Sequence, residues 1–455
     1  SFSRGGGRST CSFPMMQTQA LAAFLVLAIG SASAFAPVLA PSGVLSKAKS
    51  PISPAAGTNV LAAARLPLRA GRSMSASAAS SLQMKDTTKI AVGLVGTGVV
   101  GGELFKQFDA TKAKLLKDDG VELVVAAVAT VRDGKPWMLC DAKGLDVKAY
   151  EAAVKDDSKG EDSDLKKMAE FCKGAAPNAA MLDCTAAEAV SDMYLTWLEM
   201  GVHVCTPNKK VGSGDLKRYK ACKAAMEKTG AQWGYETTVG AGLPIIGTLK
   251  TDLLATGDVP KKIEGIFSGT LSYIFNTYKP GMAFSEVIED AKNKGFTEPD
   301  PRDDLSGTDV QRKVVIVARE CGLDVEMKDV PVDSLVPAAL RDWTPPEGAK
   351  VADAFINEMK AFDAEKEKQI KAAMDKDMCL RYVGVVDLEA KKASVTLAEY
   401  PNTHPFAGTQ WADNIVAFNT ERYVPQPLVV QGPGAGAAVT AAGVYADVIR
   451  IAKSC

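Results

Sequence analysis

Residues 89–101 read KIAVGLVGTGVVG. Lys89 to Val95 has the apolar density of a buried strand. Gly96-Thr97-Gly98-Val99-Val100-Gly101 follows at once and leads into the helix-forming run Gly102-Glu103-Leu104-Phe105-Lys106. Glycines at that spacing, between a strand and a helix, let the backbone approach a pyrophosphate seated on the helix N-terminus. The plainer reading of GxGxxG alone is a tight strand-to-helix turn. Strands at Glu122–Thr130, Ala180–Thr185 and Val202–Thr206, with a helix through Leu198 between the last two, give the rhythm of a mostly parallel sheet. This predicts an α/β fold with a Rossmann-type parallel-sheet nucleotide domain over residues 86–240. A second glycine-rich turn, Gly432-Pro433-Gly434-Ala435-Gly436-Ala437-Ala438-Val439, precedes a helix to Ala452. That helix returns the chain to the nucleotide domain, so 430–455 complete it with Gly436 near the cofactor; a close-packed helix start is the plain alternative.

The end of the second strand bears on the choice of cofactor. An acid there would hold a ribose 2′-hydroxyl, but the sequence offers Thr130-Val131-Arg132, and an arginine suits a 2′-phosphate. NADP is expected over NAD, although a surface arginine is the common alternative. Thr185, and Lys209 within Thr206-Pro207-Asn208-Lys209-Lys210, fall at carboxyl ends of strands, the edge where open α/β sheets bind ligands.

Gly295 to Gly322 reads GFTEPDPRDDLSGTDVQRKVVIVARECG. Pro299 and Pro301 exclude a helix interior, so 295–307 are expected as a loop. From Thr308, Val310, Val314 and Val317 recur at i, i+4, i+7 and predict a helix that stops at Gly322. Asp309 and Lys313 then share another face, with Glu298 and Asp303 or Asp304 brought near by the loop. An acid four residues before a lysine is often only a solvated pair worth ~0.2–0.5 kcal/mol. Ser306 to Asp309, or Thr308 to Gln311, has the pattern of a capping box.

The dense glycines of Gly234 to Pro244 favour unusual backbone angles and exposed carbonyls. Around Glu236 they form either a hinge between domains or an oxygen cage for a monovalent cation. Ile263–Phe267 reads as a strand, Ser268-Gly269-Thr270 as a turn, and Leu271–Tyr278 as the start of a helix. Leu380–Val386, Ala393–Leu397 and Ile415–Phe418 read as strands of an antiparallel sheet, giving an α+β substrate-binding and dimerisation domain over 241–429. Lys155–Lys167 reads as a solvated loop and helix, and Val330–Met374, mixing prolines with an amphipathic charged helix, as peripheral.

At 455 residues there is room for two or three domains. Nine cysteines without a C-x-x-C pair argue against a zinc ribbon or a secreted disulfide framework. With His203 and His404 as the only histidines, both read as structural, acid–base catalysis falls to Lys, Asp or Glu. Residues 1–85 hold eight basic side chains and no acid, leaving 45 basic against 54 acidic residues, about −9, a poor match for nucleic acid. Residues 1–14, before Met15, read as translated upstream sequence. Residues 15–34 read as a signal peptide, with the apolar run Ala20–Ile29 and the small residues Ala32-Ser33-Ala34, and 35–85 as a transit peptide. Ala32–Pro37, ASAFAP, resembles the junction of bipartite plastid leaders. The expected destination is the plastid stroma, with no membrane attachment in the mature form.

Thr297–Lys313, TEPDPRDDLSGTDVQRK, closely resembles the signature of homoserine dehydrogenases, and DCT at 183–185, TPNKK at 206–210 and SGTLSYIFN at 268–276 resemble further motifs of that family. The resemblance covers residues 88–452 and implies interconversion of L-homoserine and L-aspartate 4-semialdehyde with NAD(P). It implies that Thr185 and Lys209 lie by the nicotinamide and substrate, beside the fingerprint Gly96 to Gly101. It implies proton transfer by Lys313 with Lys209 polarising the oxygen, and substrate held by Gly295, Glu298, Asp309 and Lys313. It further implies a structural sodium-like ion on Glu236 and the carbonyls of Val239, Ala241 and Leu243, and a homodimer. Too few residues precede 86 for an aspartate kinase domain, so the monofunctional form is expected. Two rivals are a semialdehyde dehydrogenase using a thioester at Cys184 or Cys205, and an NADP-binding redox sensor without turnover.

Overall fold

The computed structural model describes residues 87–455; the upstream, signal and transit segments expected at 1–14, 15–34 and 35–85 lie outside the described residues. The first sheet contains β1 (Thr88–Val95), β2 (Val121–Arg132), β3 (Lys135–Cys140), β4 (Glu161–Asp162), β5 (Asn178–Asp183), β6 (His203–Cys205) and β7 (Trp233–Gly234), in the order β4-β3-β2-β1-β5-β6-β7. β1 is buried from Ile90 to Val95 and pairs in parallel with β2 and β5, and a parallel strand covered on both faces reads as such a continuous apolar run. β6 and β7 continue the parallel run.

The other edge departs from the sequence reading. β2 runs on to Arg132 and turns back as an antiparallel hairpin with β3. Asp133 and Gly134 make that turn, with φ of 49° and 76°, and an Asp-Gly pair with both φ positive is the type I′ hairpin signal. Lys155–Lys167 is exposed or half-buried, as a solvated loop and helix should be, with the helical part opening at Leu165. That helix buries Met168, Ala169 and Cys172 on the central strands. The single helix expected before β6 is two short ones, Glu188–Ser191 and Tyr194–Glu199.

Helix α1 (Val99–Asp119) starts directly after Gly98, before the run at Gly102, and stops at Gly120, whose φ of 70° allows the left-handed cap. Its apolar face, Leu104, Phe105, Phe108 and Leu115, is buried. The second sheet, β8 (Pro260–Ile266), β9 (Met378–Asp387), β10 (Lys392–Pro401), β11 (Asp413–Thr420) and β12 (Leu428–Pro433), is antiparallel in the order β10-β9-β8-β11-β12. The three strands expected there lie inside β9, β10 and β11, the strand expected at Ile263–Phe267 overlaps β8, and the edge strand β12 completes the sheet.

Four helices set the site. α2 (Gly269–Thr277) begins earlier than expected because Ser268 caps it, its Oγ accepting from Leu271 N at 3.2 Å. α3 (Pro301–Leu305) lies inside the stretch expected as loop: Pro301 occupies the first helical position, where its missing N–H costs nothing, and Asp300 caps it. α4 (Thr308–Glu320) rests on β9 and β10. α5 (Ala437–Ser454) packs on α1, Tyr445 meeting the Phe108 ring edge-on at 4.7 Å and Thr111 donating to its hydroxyl at 2.8 Å. The interval read as peripheral contributes Phe355 and Met359 to the core. Among the described residues no helix is long and apolar enough to cross a membrane.

A methyl group on Gly101 would stand 1.8 Å from the Gly96 carbonyl oxygen. Gly101→Ala should therefore push α1 off β1, lowering stability by roughly 1–3 kcal/mol and abolishing nicotinamide-nucleotide binding. Thermal denaturation and NADPH fluorescence titration test this, and parental affinity in the variant would refute it.

Candidate active site

The loop after β6 and the first turn of α4 meet at one carboxylate. Asp309 Oδ2 lies 2.8 Å from Lys313 Nζ, and Oδ1 lies 3.3 Å from Lys209 Nζ. Lys313 is 8% exposed and also donates to the Phe267 carbonyl at 2.6 Å. Burial, then Lys209, pushes the Lys313 ammonium below the usual lysine range, with Asp309 opposing. Asp309 is desolvated, which alone would raise it, but the two lysines overcome this and hold it well below the usual carboxylate range. About half of the Asp309 side chain (52%) is nevertheless exposed.

Neither expected capping box forms. α4 starts at Gly307 in the left-handed region without a side-chain cap. Asp309 is taken by the lysines, and Gln311 Nε2 donates to the Met327 and Val330 carbonyls, each at 2.7 Å. Gly307 is needed for a second reason: a Cβ there would meet the Tyr382 hydroxyl at 2.1 Å. Beside the lysines, the Glu298 amide and Thr270 Oγ1 each donate to Asp304 at 2.8 Å. Burial pushes the Asp304 carboxyl up to about 6. The Glu298 carboxyl is raised too, by burial and by Asp303 and Asp309. Gly295, φ 75°, closes the preceding helix Phe284–Asn293.

A network absent from the sequence reading ties Thr185 to the Lys209 loop. Buried Asp183 accepts from Thr185 N (2.8 Å) and Oγ1 (2.6 Å), from the Tyr194 hydroxyl (2.6 Å) and from Asn208 Nδ2 (2.9 Å). Asp183 in the DCT string was the only local hint.

A cleft of about 450 Å³ opens beside Thr97, Gly98, Val99, Tyr150 and Ala437, next to the N-terminus of α1. The Thr97 hydroxyl donates to Thr130 Oγ1 at 2.9 Å and lies 2.7 Å from the Tyr150 hydroxyl, a partner with no motif of its own. Val100 and Gly101 belong to the first turn of α1, and Gly436 precedes α5. Arg132 lies over the Trp137 ring at 5.2 Å and donates to the Asp156 carbonyl at 3.2 Å.

Glu236 accepts from the Ile246 and Gly247 amides at 2.7 and 2.8 Å and pairs with Arg450 at 3.3 Å. The Leu243 carbonyl accepts from Ile245 N at 2.8 Å. No hydrogen bond among the described residues ends on the Val239 or Ala241 carbonyl, and Ala241 has a φ of 54°. Cys205 is fully buried, and burial pushes its thiol and that of Cys184 far up, which opposes a thiolate nucleophile. His203 accepts from Gln232 N at 2.9 Å and His404 from Phe406 N at 3.2 Å, structural roles for both.

A Rossmann sheet whose carboxyl edge faces two lysines joined by one carboxylate is the apparatus of a nicotinamide-nucleotide-dependent oxidoreductase. Residues 96–236 match the family model described as homoserine dehydrogenase, NAD binding domain, and 244–449 the one described as homoserine dehydrogenase. The chain belongs to the homoserine dehydrogenase family. It is 40% identical to the homoserine dehydrogenase of Schizosaccharomyces pombe, over 80% of this chain and 96% of that one. It is 46% identical to the chloroplastic bifunctional aspartokinase/homoserine dehydrogenase 1 of Arabidopsis thaliana, over 80% of this chain but only 39% of that relative's length. A crystal structure of a Candida auris protein of unknown function superposes with a TM-score of 0.72 at 38% identity, over 80% of this chain and 98% of that one. A hyperthermophilic archaeal homoserine dehydrogenase in complex with NADPH shares the fold at a TM-score of 0.58 and 22% identity, over 80% of this chain and 97% of that one.

Asp304 gives a pH test. Between about pH 4 and 6 the folded protein keeps a proton that the unfolded chain has released, so stability falls as pH rises through that window. Asp304→Asn should remove roughly 1–2 kcal/mol of that fall. Thermal denaturation across the window measures it; identical slopes in parent and variant would refute the assignment.

Proposed function

We propose that this protein interconverts L-aspartate 4-semialdehyde and L-homoserine with NADP(H), a step toward threonine, methionine and isoleucine. The observation that carries this reading is the Lys209–Asp309–Lys313 bridge at the cleft. The nicotinamide, when bound, supplies or accepts the hydride at the substrate's carbonyl carbon. An ammonium has three donors. Lys313 gives one to Asp309 and one to the Phe267 carbonyl, leaving the third for the substrate oxygen, to which it passes its proton in reduction. Its lowered pKa eases that transfer and its reversal. Lys209 polarises the same oxygen, while Glu298 and Asp309 offer carboxylates to the substrate ammonium, with Gly295 shaping the turn beside them.

The fingerprint Gly96 to Gly101, Thr185 and Gly436 would hold the nucleotide, and Arg132 its 2′-phosphate. The absence of an acid at Thr130 supports NADP, with NAD the lesser cofactor. The unpaired carbonyls of Val239 and Ala241 suit a monovalent cation such as sodium, which would share Glu236 with its two amide donors and compete with Ile245 N for Leu243. A homodimer and delivery to the plastid stroma complete the proposal; the plant relatives' names carry the word chloroplastic. A fluorescent fusion of residues 15–85 reaching any other compartment would overturn the location.

The function is tested by NADPH oxidation with aspartate 4-semialdehyde. Lys313→Ala should lower kcat by about 10²–10⁴-fold while nucleotide binding persists. A parent that binds NADPH without oxidising it would overturn the reading in favour of a sensor.

A further inference from the structure

Lys313 shares its backbone acceptor. The Phe267 carbonyl, at the end of β8, receives Lys313 Nζ at 2.6 Å and also Asn414 Nδ2 at 3.2 Å from β11. Asn414 is 0% exposed, and its Oδ1 has no hydrogen-bond partner among the described residues. Turning the amide over would set two oxygens against each other, so the donor faces Phe267 and the acceptor stays idle. A dry, idle acceptor is destabilising, and an apolar side chain on this strand would avoid it. On its other side the amide touches Gly434, where an added Cβ would stand 2.0 Å from Asn414 Cγ and Nδ2. Gly434 lies two residues before Gly436, which opens α5.

We infer that Asn414 is a positioning residue for Lys313, acting through the Phe267 carbonyl and held in place by Gly434; this rests on the proton-transfer role proposed above. The carbonyl has two lone pairs. Asn414 occupies one, fixing the direction of the carbonyl and weakening its hold on the ammonium. The third Lys313 donor is thereby aimed into the cleft, and the proton is held less tightly. The other charged groups acting on Lys313 are Asp309 and Lys209 at the bridge and Asp304 behind it; Asn414 adds no charge to them.

Without Asn414, all of the carbonyl's acceptor capacity falls to Lys313. Hydrogen bonding to a charged form favours that form, so the Lys313 ionisation should move to higher pH. Asn414→Ala removes the donor, and Gly434→Ala displaces it while leaving Asn414 intact. Two readouts follow Lys313. One is the pH dependence of kcat with aspartate 4-semialdehyde. The other is pH-dependent labelling of the Lys313 amine by a small anhydride, read by mass spectrometry, which needs no turnover. In both variants the labelling midpoint and the alkaline limb of kcat should rise together by about half a pH unit. The maximum kcat should fall about tenfold, with NADPH affinity within about twofold of the parent. Unmoved midpoints with only a lower melting temperature would reduce Asn414 to a structural residue and overturn the inference. Lost NADPH affinity with an unmoved midpoint would also overturn it. A shifted midpoint in a protein that turns over no semialdehyde would uphold the inference while sinking the proposed reaction.

Discussion

One carboxylate between two ammonium groups is the constraint around which the rest of this molecule is arranged. Lys209 comes from the carboxyl edge of the parallel sheet, and Lys313 from a helix lying on the antiparallel sheet. Two cations so close repel, and the Asp309 carboxylate between them offsets that repulsion. The same helix is fastened again three turns from its start. The buried Arg319 guanidinium donates to the Gly212 and Gly214 carbonyls at 2.9 and 2.7 Å, and Ile316 packs where a side chain at Gly212 would stand. The segment carrying Lys209 is thus tied to the segment carrying Lys313 at both ends. Their separation is set by backbone contacts as well as by attraction between charges, and it is correspondingly less sensitive to salt.

What could be read from the chain was local. The spacing Gly96, Gly98, Gly101 after an apolar strand, the valine stripe of α4, and the four-residue step from Asp309 to Lys313 are all short-range patterns, and all three appear in the structure. The Asp133-Gly134 hairpin was missed, although the dipeptide is a turn signal in its own right. The reading of 295–307 as loop holds except at 301–305, where Pro301 was weighed as a breaker although it sits at the first helical position. Tyr150, Tyr194 and Asn414 could not have been found this way. Tyr150 reaches Thr97 across 53 residues and Asn414 reaches Phe267 across 147. No period or motif marks a partner at that distance. Asn414 in particular reads as an ordinary polar residue at a strand start until the lone pairs of one carbonyl are counted.

The closing helix of the nucleotide domain has a bearing on how the protein is made. Thr111 and Tyr445 share a hydrogen bond across 334 residues, and Val444, Val448 and Ile451 join a buried cluster with Leu94, Leu104 and Phe108. A ribosome therefore releases β1, α1 and β2 long before it releases the surface that covers them, and the entire antiparallel sheet emerges in between. Over that interval the apolar surface that the last helix covers beside α1 stays open, a state prone to association and slow to resolve because its closing contacts are so distant in sequence. The surface of β1 and α1 is thus the first part of the described chain to be synthesised and among the last to be covered.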